Sequence, residues 1–329
     1  MNSIIGELNS RILVLDGAMG TMIQTYKLEE EDFRGDKFKD HNIPLKGNND
    51  LLSITRPEII KEIHRGYLNA GADIIETNTF SSTSIAMKDY GLENIVYELN
   101  YESAKIAKEV ASEFSEKKYV AGSIGPTNKT ASMSPDVNDP GFRAVSFDEL
   151  VESYSEQVKG LVDGGSDILL VETVFDTLNA KAALMAISNY FEENKTNLPI
   201  MVSGTITDNS GRTLSGQTVN AFLISLSHFP LLSIGFNCAL GADQLTPYMK
   251  RLSNSTNFFT SAHPNAGLPN AFGEYDQTPD EMLTQVRGYF DDNLVNIIGG
   301  CCGTTYEHIK VISEEVKKYK PREISNDKM

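Results

Sequence analysis

The 329-residue sequence contains no tryptophan and only three cysteines, and it is short of positive charge. It also lacks any apolar run near the ~18 residues that a membrane-spanning helix needs. Each shortage excludes something. With 29 Lys+Arg against 45 Asp+Glu, the net charge is −16, so binding to nucleic acid through phosphate neutralisation is not expected. Three cysteines cannot build a disulfide framework. Met1, Asn2, Ser3, Ile4 and Ile5 supply no basic leader, and Glu7 and Asp16 interrupt any apolar stretch behind them. No export signal and no membrane partner are therefore expected, and the cytoplasm is the expected compartment. Low-complexity tracts and motif repeats are missing too, while 40% hydrophobic and 22% charged residues fit a globular chain.

What is present is an alternation. Apolar, β-rich runs at 12–15, 73–77, 119–124, 168–173, 200–205, 231–236, 258–262 and 295–298 predict eight strands. Most are continuously hydrophobic, as parallel strands covered on both faces must be. Helical periodicity fills the intervals. Pro57 opens one helix, with Ile59, Ile60, Ile63, Tyr67 and Leu68 on its apolar face. Ser146 with Glu149, Thr278 with Glu281, and Thr304 with Glu307 read as capping boxes. Eight strand–helix units predict an α/β fold, a single-domain (βα)8 TIM barrel over residues 1–319, with 320–329 a polar tail or the start of a linker. A doubly wound sheet competes, but Asp16-Gly17-Ala18-Met19-Gly20 is not the glycine fingerprint that fold would carry. The long connections, 16–56, 127–146, 206–217 and 263–278, all follow strands, which in a barrel puts them at the active face.

The cysteines are spent in two places. Cys238 ends the sixth apolar run, and Cys301 and Cys302 end the eighth inside Gly299-Gly300-Cys301-Cys302-Gly303. Neighbouring strands would bring all three sulfurs to one rim, and the flanking glycines let both side chains of the pair turn to one point. Adjacent cysteines make a poor disulfide. Three thiolates suit Zn2+ and leave a fourth position open, the arrangement of a catalytic site. An iron–sulfur cluster fits less well, because its ligand runs space the cysteines apart. Zn2+ on three thiolates is already anionic, a weak generator of hydroxide but a good holder of an incoming thiol as thiolate. The chemistry implied is alkylation of a thiol.

Other residues divide between chemistry and scaffold. Glu172 follows Ile168-Leu169-Leu170-Val171, where an unpaired carboxylate would be costly, which favours function. Asp16 also closes an apolar strand and either caps the next turn or faces a ligand. Asn78 and Asn237 end strands and read as partners of loop backbone. His263 reads as a loop anchor, since a fourth protein ligand would close the metal to substrate. His41, His64, His228 and His308 lie in surface-like contexts, and Glu29-Glu30-Glu31-Asp32 reads as solvated surface.

At this point the residues resemble a family. Asp16-Gly17-Ala18-Met19-Gly20-Thr21, Glu76-Thr77-Asn78-Thr79-Phe80, Gly122-Ser123-Ile124-Gly125-Pro126, Val171-Glu172-Thr173, Gly235-Phe236-Asn237-Cys238 and the paired-cysteine loop are similar to homocysteine S-methyltransferases. Within that family the chain most resembles the homocysteine-binding N-terminal module of cobalamin-dependent methionine synthase, and Ser210-Gly211-Arg212-Thr213-Leu214-Ser215-Gly216 shares that likeness. The resemblance implies Zn2+ on Cys238, Cys301 and Cys302 with the sulfur of L-homocysteine as fourth ligand. It implies substrate contacts at Asp16, Gly17, Ala18, Ser123, Glu172, Asp176 and Asn237, with N–H groups of Gly17 and Ala18 on the carboxylate. Glu172, Ser123 and Asp176 would face the ammonium. The implied donor is methylcobalamin on a corrinoid-binding module or protein, in cis or in trans, giving L-methionine. Betaine or S-methylmethionine are alternative donors. A non-catalytic thiol-binding module of a corrinoid assembly is the alternative of another class.

Overall fold

The computed structural model describes residues 3–208 and 210–324. Eight parallel strands, β1 (Leu13–Val14), β2 (Ile74–Glu76), β3 (Tyr119–Ile124), β4 (Ile168–Val174), β5 (Ile200–Gly204), β6 (Ser233–Gly241), β7 (Phe259–Asn265) and β8 (Ile297–Ile298), form one sheet. Their order is β1-β8-β7-β6-β5-β4-β3-β2. The ring closes between β1 and β2 through the parallel bridge Leu15↔Ile74, with Asp16 N–H donating to the Ile74 carbonyl at 3.0 Å and Asp73 N–H to that of Val14 at 2.7 Å. The fold is the (βα)8 barrel that the alternation predicted.

Strand alternation builds two cores. Leu13, Leu15, Ile74, Tyr119, Ala121, Ile168, Leu170, Met201 and Ile297 point inward and fill the barrel, and Ile4 and Leu8 of a short N-terminal helix join them. Their neighbours Val14, Ile75, Val120, Leu169, Val171, Val202 and Ile234 point outward to the helices. Those helices are α1 (Pro57–Asn69), α2 (Val96–Ala111), α3 (Phe147–Asp163), α4 (Thr177–Asn194), α5 (Val219–Leu226), α6 (Ala242–Ser255), α7 (Pro279–Asp291) and α8 (Tyr306–Glu315). With each face of each strand covered by apolar side chains, removal from water drives closure of the ring.

Four local readings need correction. β6 and β7 run past the predicted ends because their ladder continues through Asn237↔His263 and, after a bulge, Gly241↔Asn265. His263 is therefore a strand residue rather than a loop anchor. The boxes at Ser146/Glu149 and Thr278/Glu281 form as read, but α8 is capped by Thr305 with His308, because the Thr304 hydroxyl is engaged at the site described below. His64 and His308 are buried, not surface residues; His64 lies one turn after Ile60 on the apolar face of α1. Within the expected tail, Arg322 is buried, its guanidinium donating to the carbonyls of Phe258, Ser253 and Thr256. Residues 325–329 of that segment lie outside the described residues. Among the described residues, no helix is long and apolar enough to cross a membrane.

Candidate active site

The strand ends at the C-terminal face open into a cavity of about 760 Å³. One wall is sulfur. The Sγ atoms of Cys238, Cys301 and Cys302 all lie within 4.8 Å of one another, and Cys238 Sγ is 3.8 Å from Cys302 Sγ. A tetrahedral metal with bonds of about 2.3 Å needs its sulfur ligands about 3.8 Å apart. The three sulfurs are free thiols with no disulfide among them. Hydrogen bonds from Cys238 and Cys301 hold the Cys302 thiol down to about 3, whereas hydrogen bonding to its two neighbours, with burial, pushes Cys301 up. Against the effect of Cys301, Cys238 is pushed up as well, by its hydrogen bond to Cys302 and by burial.

The two cysteine edges are made differently. On the β8 side, glycines remove obstacles. A Cβ on Gly299 would meet Leu15 Cβ at 2.8 Å, one on Gly300 would meet Thr304 at 2.5 Å, and Gly303 has φ +80 with Tyr275 Cβ at 2.3 Å from such an atom. On the β6 side the unusual conformation falls on side-chain-bearing residues, Cys238 at φ 61 and Ala239 at φ 57. Thr173 at the end of β4 is a third, at φ 53. Asn237 holds these together. Its Oδ1 accepts Thr173 N–H at 3.0 Å and the Ser203 hydroxyl at 2.7 Å, and its Nδ2 donates to Thr173 Oγ1 at 2.8 Å and approaches Cys301 Sγ at 3.9 Å.

Carboxyl groups line the same cavity. Glu172 accepts the Ser123 hydroxyl at 2.5 Å and that of Thr173 at 3.4 Å, and Glu76 lines the same cavity. Asp16 Oδ2 accepts the Glu76 N–H at 3.0 Å. Burial raises all three carboxyls. For Asp16 the Glu76 N–H opposes the rise and the Glu172 charge adds to it. Thr304 clasps the first and last loops: its Oγ1 accepts Ala18 N–H at 3.1 Å and donates to the Cys301 carbonyl at 2.7 Å. The Tyr67 hydroxyl lies 3.1 Å from the carbonyls of both Ala18 and Thr304. Soft sulfur and carboxyl oxygen in one cavity suit a metal-binding group and a cationic group carried by one small ligand.

The model of the homocysteine S-methyltransferase family matches residues 13–316. The chain belongs to this family. It is a homocysteine S-methyltransferase by enzyme class, transferring methyl to the thiol of homocysteine. Solved structures support the fold. The metallated form of the homocysteine methyltransferase MmuM from Escherichia coli superposes with a TM-score of 0.71 at 23% identity, covering 93% of this chain and 96% of that one. Its oxidised form gives 0.72 at 21%, covering 92% and 96%. A B12-independent methionine synthase from a Shewanella species, in complex with selenomethionine, gives 0.52 at 11%, covering 94% and 98%.

In this homocysteine S-methyltransferase, Asp16, Gly17, Ala18, Ser123, Glu172, Asn237 and the three cysteines all line the one cavity. Asp176 does not. Its Oδ1 caps α4 at Leu178 N–H and its Oδ2 takes the N–H and hydroxyl of Ser132, so an ammonium-facing role is corrected to a scaffold one. The Ala18 N–H is likewise engaged by Thr304, so it is not a free donor for a carboxylate. Asn78 partners loop backbone as expected, donating to the Asn49 carbonyl at 2.8 Å. Sequence reasoning missed Glu76 and Tyr275. The signal for Glu76 was present: Ile74-Ile75-Glu76-Thr77 repeats the pattern of Leu170-Val171-Glu172-Thr173, an acid and a threonine ending a buried strand. No comparable signal marks Tyr275, which lines the cavity from the loop after β7.

Proposed function

We propose that the chain makes L-methionine by moving a methyl group from methylcobalamin to L-homocysteine, with Zn2+ held by Cys238, Cys301 and Cys302. The observation that carries this reading is the pairing, in one cavity, of three sulfurs within 4.8 Å of one another with the carboxyls of Asp16, Glu76 and Glu172. An α-amino thiol has the two groups that such a lining would hold. Zinc on the sulfurs would lower the pKa of the substrate thiol, so that it reacts as thiolate near neutral pH.

The chain's own residues do the rest. Glu172, steadied by Ser123 and Thr173, and Asp16 receive the ammonium, which needs acceptors. Gly17 N–H remains the candidate donor to the substrate carboxylate, and the absence of a Cβ there matters, since one would meet Thr304 Oγ1 at 2.7 Å and Tyr67 at 2.9 Å. Asn237 positions Thr173 and the Cys301 sulfur. The cavity volume falls in the range of pockets for ligands much larger than an amino acid, which leaves room for a donor to reach the sulfur. A corrinoid-binding module or protein would approach at this open face.

The test is a donor panel. Zinc-loaded chain with L-homocysteine is expected to form methionine with methylcobalamin. Turnover with betaine or S-methylmethionine instead would replace the donor assignment, and tight thiol binding with no turnover on any donor would make the chain a binding module. Metal analysis is expected to find one zinc per chain, lost in Cys302→Ala; full zinc in that variant would remove the metal assignment.

A further inference from the structure

Thr77 and Thr79, both buried, have no role in the scheme above. They sit where β2 leaves the sheet. The ladder between β2 and β3 pairs Glu76 with Ala121, and Thr77 N–H still donates to the Ala121 carbonyl at 2.9 Å. A parallel strand running on would offer its Thr77 carbonyl to Ser123 N–H and its Thr79 N–H to the Ser123 carbonyl. The chain turns instead, and Thr79 N–H closes on the Thr77 carbonyl at 2.9 Å.

The two threonine side chains take the place of those backbone groups. Ser123 N–H donates to Thr77 Oγ1 at 2.9 Å, and Thr79 Oγ1 donates to the Ser123 carbonyl at 2.7 Å. The two hydroxyl oxygens lie 2.6 Å apart. A threonine hydroxyl has one proton, and that of Thr79 is already given to a carbonyl, which can only accept. Thr77 must therefore donate to Thr79. The result is a closed ring from Ser123 N–H through both hydroxyls to the Ser123 carbonyl, each hydroxyl donating once and accepting once. Gln157 of α3 steadies it by donating to the Thr79 carbonyl at 2.9 Å. The same Ser123 sends its own hydroxyl to Glu172 at 2.5 Å.

We infer that Thr77 and Thr79 are positioning residues for the ammonium end of the substrate, clamping Ser123 by its backbone so that its hydroxyl holds Glu172 in place. Resting on the homocysteine reading, this makes the ring matter for a thiol with an α-amino group and not for the same thiol without one.

Nuclear magnetic resonance of the zinc-loaded full chain tests the ring without any substrate. The Ser123 amide proton should move upfield in Thr77→Val, which removes the hydroxyl at similar size, and hold its place in Thr77→Ser. An unmoved signal in Thr77→Val overturns the ring. Should the valine variant fail to fold, the absence of slowly exchanging Thr77 and Thr79 hydroxyl protons in the wild type overturns it equally.

Calorimetric titration compares L-homocysteine with 4-mercaptobutanoate, the same thiol acid without its amino group. Thr79→Val should bind homocysteine ~10-fold more weakly and the amino-free acid within ~2-fold of wild type, while Thr79→Ser recovers both affinities. Equal losses for the two ligands would make Thr79 a purely structural residue and overturn the inference. Adding Thr79→Val to Ser123→Ala should cost no further homocysteine affinity, because residues in one network do not add; additive losses would show that Thr79 does not act through Ser123. A wild type with the ring signals that binds no homocysteine leaves the Ser123 clamp standing and removes the functional reading instead.

Discussion

The edges of β6 and β8 deliver sulfur to one point by opposite means. At β8 the chain uses glycines, which accept a left-handed backbone and close packing at no steric cost. At β6 it forces Cys238 and Ala239 into the left-handed region, where an L side chain costs roughly 1–2 kcal/mol per residue. The β6 side is braced by a side chain, the β8 loop by its own backbone, with Gly300 N–H donating to the Asp16 carbonyl and Cys301 N–H to that of Pro264. Asn237 ties it to β4 and β5, and the ladder to β7 holds it on the other flank. Backbone strain of this kind persists where neighbouring structure over-determines it. A cluster of thiols can thus be pre-formed either by removing side chains or by bracing the residues that carry them.

The largest effect is expected at β8. Gly303→Val combines a strained φ with a direct collision against Tyr275, and should cost about 4 kcal/mol or more. Denaturant unfolding and zinc retention would both register it; a variant as stable as wild type would show that the loop relaxes and that the β8 edge is not held by packing.

A smaller loss, roughly 3 kcal/mol, separates barrel stability from the two edges by pH. Burial lowers His64 on α1 to about 3, and among the described residues neither ring nitrogen has a partner. The folded pKa lies below the unfolded value near 6.5, so this stability is fully present above about pH 6.5 and is lost as pH falls towards 3. Replacing the imidazole in His64→Phe should flatten that acid limb in urea melts followed from pH 7 to 4. An unaltered slope would assign acid sensitivity elsewhere.

Next comes the brace. Asn237→Ala removes hydrogen bonds to Thr173 and Ser203 and should cost about 2 kcal/mol, with zinc affinity falling alongside stability. Stability that falls while metal binding holds would show that β6 keeps its conformation unaided. The smallest change sharpens the contrast most: Ala239→Gly should gain about 0.5–1 kcal/mol, the strain relieved less the entropy that glycine adds to the unfolded chain. A loss of stability there would mean that the left-handed backbone carries no strain.

These two edges also mark what sequence reading reaches. Gly299-Gly300-Cys301-Cys302-Gly303 declares itself, because glycine is the chemical trace of a tight backbone. Nothing in Asn237-Cys238-Ala239 does, because strain borne by ordinary residues leaves no compositional mark. The eight apolar runs identify the barrel, since burial on both faces makes a strand uniformly hydrophobic. Their ends were misread at β6 and β7, where pairing carries polar residues such as Asn237 and His263 onto the sheet. Asp176 and Glu172 both follow apolar strands. Only the fold separates a carboxylate that caps a helix from one that lines a cavity. Glu76 was hidden inside a run read for its isoleucines, although its strand-end position matched that of Glu172.

The Thr304 hydroxyl, bonded to the Ala18 backbone, joins residues 286 positions apart. A ribosome must therefore release the segment through Thr304 before the substrate chamber has both its sides. Until then the early loop has no anchor, and Cys238 waits without its two companions. The full thiol set is consequently assembled only once Cys302 has been made, so a product terminated between Cys238 and Cys301 carries one lone sulfhydryl.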